Sequence, residues 1–424
     1  MNDTPFELPP FPEPSIPSYR VDIRDHGAVD DGSTMNTPAF AAAIEACAGA
    51  GGGTVVVPAG LWLTGPIHLR NHVELHLEKE AVVRFSSRPA DYLPAVFTRW
   101  EGHECYNYSP LIYANGCNDI AVTGEGTFEG QGQPWWHWKK IQLAEMVYDA
   151  EYDGVPVEQR VYGTEEHALR PNFIQPINCR NVLIQGVTFR DGPMWTVHPV
   201  YSENVIVRGI SIDTNGPNND GCNPDSCRNV LIEHCRFSTG DDCIAINSGM
   251  NEDGRRVGRP CENIVIRHCH FERGHGGVTI GSGMSGGVRN VYAHDCDCNG
   301  TDVGIRLKSM RGRGGFVEKV IVERLDMLHV RYEPIRINMY YGATSAEPKA
   351  KDPPEFRDIC IRDIRCRGAE HALLLRGLPE VPLRDVRLEN IDIEAGEAPI
   401  IEDVEGLHLS NVRLMIHKGQ DASS

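Results

Sequence analysis

Apolar positions in this chain fall two apart, in paired short runs separated by a fixed break. Starting from a polar or small anchor residue, offsets +1, +3, +6 and +8 are apolar each time. Anchor Asn181 gives Val182, Ile184, Val187 and Phe189, and Asn229 gives Val230, Ile232, Cys235 and Phe237. The same reading holds from Asn204, Asn263, Asn290, Lys319, Asp358, Asp385 and Gly406. A spacing of two is the period of a strand, and the break between +3 and +6 predicts a bend between two strands.

Anchors recur every 21 to 39 residues, within the range of solenoid repeats. No repeat holds a helix-period segment, which disfavours ankyrin and leucine-rich arrays. Strands with Gly-rich corners predict an all-β fold, a right-handed parallel β-helix. Cys235, Cys269 and Cys296 share offset +6 and are expected to stack inside it.

Residues 1–20 read as a Pro-rich arm and 21–100 as an N-terminal cap region. That cap holds short strands and one helix over Thr37–Ala50, with Thr37 as cap and Pro38 in the first turn. Residues 101–424 form the β-helix, interrupted by a long insertion at 131–172. Loops of that length are usually functional or disordered.

The third strand of each coil carries the chemistry. Aligning Cys222–Ser226, Ile244–Ser248, Val278–Ser282 and Ile305–Ser309 alternates inward with outward residues. Asn223, Ala245, Thr279 and Arg306 share one outward column; Asp225, Asn247, Gly281 and Lys308 share the next. Just upstream, Asp220 falls beside Asp242, and Asp241 beside His275. Arg336 would extend the first column next to Arg306. The register thus predicts a groove with a carboxylate pair, a third carboxylate beside a histidine, and cations further along.

Acids this close cannot all ionise cheaply, so one should have a raised pKa. One protonated acid with ionised neighbours is the equipment of glycoside hydrolysis. Small residues at 245 and 279 leave room for a sugar, and the cations suit a sugar carboxylate. Trp135 belongs to a Trp-rich cluster in the insertion, where sugar stacking and plain packing fit equally. Arg311 and Arg313 read as flanking the site rather than touching substrate. Asp and Asn at solenoid corners often only cap turns, and His275 between two glycines gains weight only from its column beside Asp241.

A net charge of −18 argues against general nucleic-acid or membrane binding, while a local basic cluster still permits an anionic substrate. The 14 Cys form no Cys-x-x-Cys framework and read as buried reduced thiols; no metal-ligand set appears, and no cofactor is expected. The N-terminus lacks the basic start and apolar run of a signal peptide, which reads as cytoplasmic, or as secreted or periplasmic if a leader has been removed. An exposed terminal coil leaves an oligomer open.

Asn218-Asn219-Asp220-Gly221, Thr239-Gly240-Asp241-Asp242-Cys243, Gly274-His275-Gly276 and Arg306-Leu307-Lys308, in this order and spacing, resemble glycoside hydrolase family 28, the polygalacturonase family. The resemblance spans Val21 to about residue 415, and Arg170–Gln175, Pro193–Pro199 and the Trp-rich insertion are similar to its exo-acting members. It implies inverting hydrolysis of α-1,4-linked galacturonate in pectic chains. Asp241 would be the general acid, Asp220 and Asp242 would activate water, and His275 would hold Asp241 in its protonation state. Arg306 and Lys308 would bind the uronate carboxylate, with Tyr341 or Tyr340 as the family's active-site tyrosine. Inversion predicts carboxylates roughly 6.5–9.5 Å apart. Asn223 stands where the family usually has Asp. Hydrolysis of rhamnogalacturonan or xylogalacturonan is the alternative, and a calcium-assisted lyase or a non-catalytic carbohydrate-binding solenoid are further ones.

Overall fold

The computed structural model describes residues 6–342 and 352–417. Residues 1–5 of the proline-rich arm lie outside the described residues. Strands stack in parallel register around a single apolar core, as a right-handed parallel β-helix.

The sequence anchors have a shared backbone cause. Asn181, Asn204, Asn229, Asn263, Asn290, Lys319, Asp358 and Asp385 all adopt positive φ, between 52° and 60°. Asn is the residue that tolerates this left-handed corner most readily after Gly. Its side chain then bonds to the coil before. Asn204 donates to Asn181 at 2.9 Å, Asn229 to Asn204 at 3.1 Å, Asn263 to Asn229 at 2.9 Å and Asn290 to Asn263 at 2.9 Å. The bend between +3 and +6 is a second left-handed residue at +5: Gly209, His234, His268, Asp295, Arg324, Asp363 and Asn390.

Pairing extends further toward the N-terminus than the anchors indicate. The strand Val73–Leu77 pairs with Asn118–Gly124, which pairs with Arg180–Gln185. One inward column of the third face runs Ile67, Ile112, Ile174, Val197, Cys222, Ile244, Val278, Ile305 and Ile335. All nine are buried. Alternation along each strand therefore fixes which residues face outward, and the third face is where the candidate site lies. Every cysteine is a free thiol and all but Cys360 are buried; the Cys269 amide lies 3.4 Å from Cys296 Sγ, as stacking predicts.

The N-terminal helix spans Thr37–Gly49 and closes the first coil with Phe40, Ala43, Ile44 and Cys47. Thr37 is not its cap. Asn36 holds that position, and the Thr37 hydroxyl accepts from the Gly65 amide at 2.6 Å. The arm lies across the outside of the sheet, where Phe11 and Ile16 cover Ala121, Leu183 and Ile206.

The insertion carries the helices Gln133–Trp136 and Ala144–Tyr152. Its aromatic cluster is packing. Trp135 is 1% exposed, edge-on to Tyr92, Tyr108 and Trp138. Trp135 therefore offers no face to a sugar, and its assignment to substrate is corrected. The first helix turns the indole into the core, and the payload of apolar area anchors the insertion to the coil beneath. A second wall is the antiparallel hairpin of Val96–Trp100 and His103–Asn107.

Candidate active site

The third face delivers the predicted columns. Cys222 pairs with Ile244, so Asn223 lies beside Ala245, and Ala245 pairs with Thr279, Thr279 with Arg306 and Arg306 with Arg336. Upstream, the Gly221 amide donates to Asp242 O at 2.9 Å and the His275 amide to Asp241 O at 3.0 Å. These bonds place Asp220 against Asp242 and His275 against Asp241.

Local sequence explains how the acids are held. Asn219 is fully buried and ties its own loop, accepting from Thr214 Oγ1 and the Gly216 amide and donating to Gly192 O and Met194 O. Asn218, in the left-handed region, accepts from Arg170 at 2.7 Å. Thr239 Oγ1 donates to Asp241 O at 2.7 Å. The Gly-His-Gly turn needs its second glycine, since a Cβ at Gly276 would sit 2.3 Å from Thr279 Oγ1 and 2.8 Å from Asp242 Oδ1.

The three acids sit in different surroundings. Arg306 donates to Asp242 Oδ1 at 2.9 Å and Lys308 to Oδ2 at 2.6 Å, so both oxygens of Asp242 are engaged by cations. Asp220 has only Asn223 Nδ2 on Oδ2, at 2.8 Å, and its buried Oδ1 has no protein partner. Burial, with the charges of Asp241 and Asp242 adding to it, pushes Asp220 well above the usual carboxylate range. Burial also pushes Asp241 up, but the hydrogen bond from His275 at 3.0 Å, with Lys308 and Arg306 nearby, outweighs it and holds Asp241 low. In return the bond to Asp241 raises His275 above the usual imidazole value. These surroundings favour Asp220 over Asp241 as the holder of a shared proton, whereas the family resemblance makes Asp241 the acid.

One oxygen from each acid lies within 4.8 Å of the others. Asp241 and Asp242 are neighbours on one coil, and Asp220 sits on the coil before it, about 4.8 Å away in the backbone. Such a trio could in principle hold a cation, but Arg306 and Lys308 already bring positive charge to Asp242, where a divalent ion would compete with them.

Asp220, Asp241, Asp242, Ala245, Asn247, Lys308 and Tyr341 face a cavity of about 240 Å³. Tyr341 lies under the Lys308 ammonium, 4.8 Å from its ring centre. Arg306 and His275 bond to the acids without lining it, and two further assigned residues stand apart from it. Asn223 is fully buried beneath Asp220, where its amide steadies the acid and leaves no surface for a sugar. Arg336 keeps its place beside Arg306, but its guanidinium is bound by Glu333 and lies 5.4 Å from the Tyr332 ring centre. Both are corrected as substrate contacts. Glu101, Lys139, Tyr148, Trp195 and Arg313 also line the cavity. Most lie on the hairpin, the insertion and a loop outside the repeat, where register does not reach; Trp195, within Pro193–Pro199, and the Gly-flanked Arg313 carried a visible signal.

The face is closed on one side. Gln175 and His198 continue the outward column beyond Asn223, and neither is exposed. The hairpin covers them: Thr98 bonds to Gln175 and Gln175 Nε2 donates to Arg99 O at 2.9 Å. Among the described residues no helix is long and apolar enough to cross a membrane.

Comparison with known proteins bears on this site. Residues 158–411 match glycosyl hydrolases family 28. A protein of Vitis vinifera named "Probable polygalacturonase" is 32% identical over 93% of this chain and 79% of its own length. An exo-poly-α-D-galacturonosidase of Dickeya chrysanthemi is 26% identical over 84% of this chain and 64% of its own. The crystal structure of an exopolygalacturonase from Thermotoga maritima superposes with a TM-score of 0.91 and 39% identity, covering 96% of this chain and 94% of that one. The acid ladder on a parallel β-helix is thus that of a glycoside hydrolase, and the chain belongs to glycosyl hydrolases family 28.

Proposed function

We propose that the chain hydrolyses α-1,4-linked galacturonate and works from a chain end. One observation carries this: Asp220, Asp241, Asp242 and Lys308 face a cavity that is also walled by the hairpin Val96–Asn107 and the insertion, which supply Glu101, Lys139 and Tyr148. Such a cavity admits the end of a polymer but not its middle. The names of the Dickeya and Thermotoga proteins support the same reading.

Asp241 is the general acid. It is the most open of the three, with 20% of its side chain exposed against 1% for Asp242, so it meets the leaving oxygen. Asp220 is the base. Asp242 has both its oxygens occupied by cations, and it holds Arg306 and Lys308 in place. Seating a uronate strips the remaining water from Asp241, and burial then favours its protonated form. The proton passes from Asp220 to Asp241, and Asp241 delivers it to the glycosidic oxygen as the C1–O bond breaks. Water attacks C1 from the opposite face and yields its proton to Asp220. The cycle thus ends with the proton on Asp220, where it began.

Incubation with oligogalacturonates labelled at the reducing end, read by product mass and anomer, tests this. Release of terminal units with inverted configuration is expected. Mixed oligomers from internal cleavage would refute end action, and an unsaturated product absorbing in the ultraviolet would refute hydrolysis.

A further inference from the structure

The cations of the cavity differ in what they already hold. Lys308 and Arg306 both donate to Asp242, and Lys139 lies 3.9 Å from Glu101. Arg313 has no such partner. It donates to the amide oxygen of Asn251 at 2.5 Å, its Nε is buried without a hydrogen bond, and no ion pair among the described residues includes it. Burial lowers its pKa, against the opposing influence of Tyr148, Tyr152, Tyr341 and Glu151. A half-buried cation without a carboxylate bears a desolvation cost that an incoming anion would offset.

The position is built rather than incidental. Gly312, Gly314 and Gly315 all have positive φ, at 88°, 60° and 72°. They fold the chain tightly around residue 313, and Arg255 fixes that fold by donating to Gly312 O at 2.8 Å and Arg313 O at 2.9 Å. Tyr148, from the insertion, and Tyr341 line the same end of the cavity.

We propose that Arg313 is a specificity-determining residue that receives the C6 carboxylate of the terminal uronate, independently of Arg306 and Lys308. This rests on the reading of the chain as an end-acting galacturonan hydrolase. The planar guanidinium can bind a carboxylate through two donors at once, which an ammonium cannot. Arg306 and Lys308 then serve chiefly to hold Asp242, and recognition of the terminal sugar's acid group falls to Arg313.

The test compares trigalacturonate with the same trimer methyl-esterified at its terminal carboxyl. Wild type should show a KM roughly ten- to hundredfold higher on the ester, with kcat little changed, the loss expected for one charge-assisted hydrogen bond. Arg313→Gln should show the higher KM on both substrates, and Arg313→Lys should fall between. Equal KM values for acid and ester in wild type would overturn the proposal without any variant. So would an Arg313→Gln enzyme that still discriminates, or one that loses kcat at unchanged KM. Calorimetry on the Asp241→Asn protein with galacturonate and galactose separates the two layers. If galacturonate is not preferred, the uronate reading of the site fails. If it is preferred and adding Arg313→Gln leaves that preference intact, only the role of Arg313 fails.

Discussion

Two sets of the same side-chain types sit on one face of the β-helix, only a coil or two apart. The first is Asp225 with Arg99 and His198, all fully buried under the hairpin. Arg99 donates to Asp225 Oδ1 at 2.9 Å, His198 Nε2 lies 3.2 Å from Oδ2, and the Gly249 amide donates to Oδ1 at 2.9 Å. Burial would raise Asp225, but Arg99 and His198 hold it low, while burial keeps His198 below its usual value. The second set is Asp220, Asp241 and Asp242 with Arg306, Lys308 and His275. Here the pairing is uneven: Asp242 takes both Arg306 and Lys308, Asp220 lacks a cation, and the cavity is open. One acid with two basic partners, sealed from water, stabilises the fold. Three acids with a shared proton, facing an open cavity, can move that proton.

The strongest way to break this contrast is to remove the proton carrier. Asp241→Asn should lower kcat by about 10²–10⁴-fold, the usual yield of general acid catalysis, with the melting temperature unchanged. An Asp241→Asn enzyme with near-normal turnover would place the acid elsewhere. The sealed set should answer in the opposite currency. Arg99→Met strips the buried Asp225 of its guanidinium, leaving only His198 and the Gly249 amide, and should cost about 3–5 kcal/mol in urea unfolding. A stable Arg99→Met protein would mean that water reaches Asp225.

The next two changes sharpen the contrast. Asn223→Asp sets a second carboxyl against Asp220, replacing the amide that steadies its ionised form. Asp220 should then hold its proton to higher pH, and because the cycle starts from that proton, the alkaline limb of kcat/KM should move up by roughly one unit. An unmoved limb would exclude Asp220 as the holder of that proton. The smallest effect concerns His275. Its folded pKa is raised, so below about 6.5, the ordinary imidazole value, both folded and unfolded chains carry the proton and the pair with Asp241 contributes in full. As pH rises through the folded value that contribution is lost. The ring is half exposed, so His275→Asn should destabilise by less than about 1 kcal/mol at pH 5 and by nothing measurable at pH 9. Thermal melts at the two pH values check the sign.

Much of the fold was legible because strand alternation leaves only two choices of face. Val182, Ile184, Val187 and Phe189 could be placed inside from spacing alone, and all are buried. The same phase carried Arg306 to Thr279 and His275 to Asp241. What stayed hidden lies outside the repeat. Trp135 has the composition of a sugar platform, yet its direction depends on a one-turn helix within the insertion. Glu101 and Tyr148 reach the cavity from segments whose path no periodicity describes. Arg313 read as flanking the site rather than touching substrate, because its lack of a carboxylate partner is visible only in three dimensions.

The asparagine corners have a consequence for how such molecules diversify. Each corner amide is bonded to the one before it, so successive coils stay in phase whatever length of chain runs between them, from 23 to 34 residues along Asn181, Asn204, Asn229, Asn263 and Asn290. Extra chain is diverted to the other corners, where it can grow into barriers and lids. Accessory loops could therefore be lengthened, trimmed or exchanged to suit a new polymer while the spacing of the acids stays untouched.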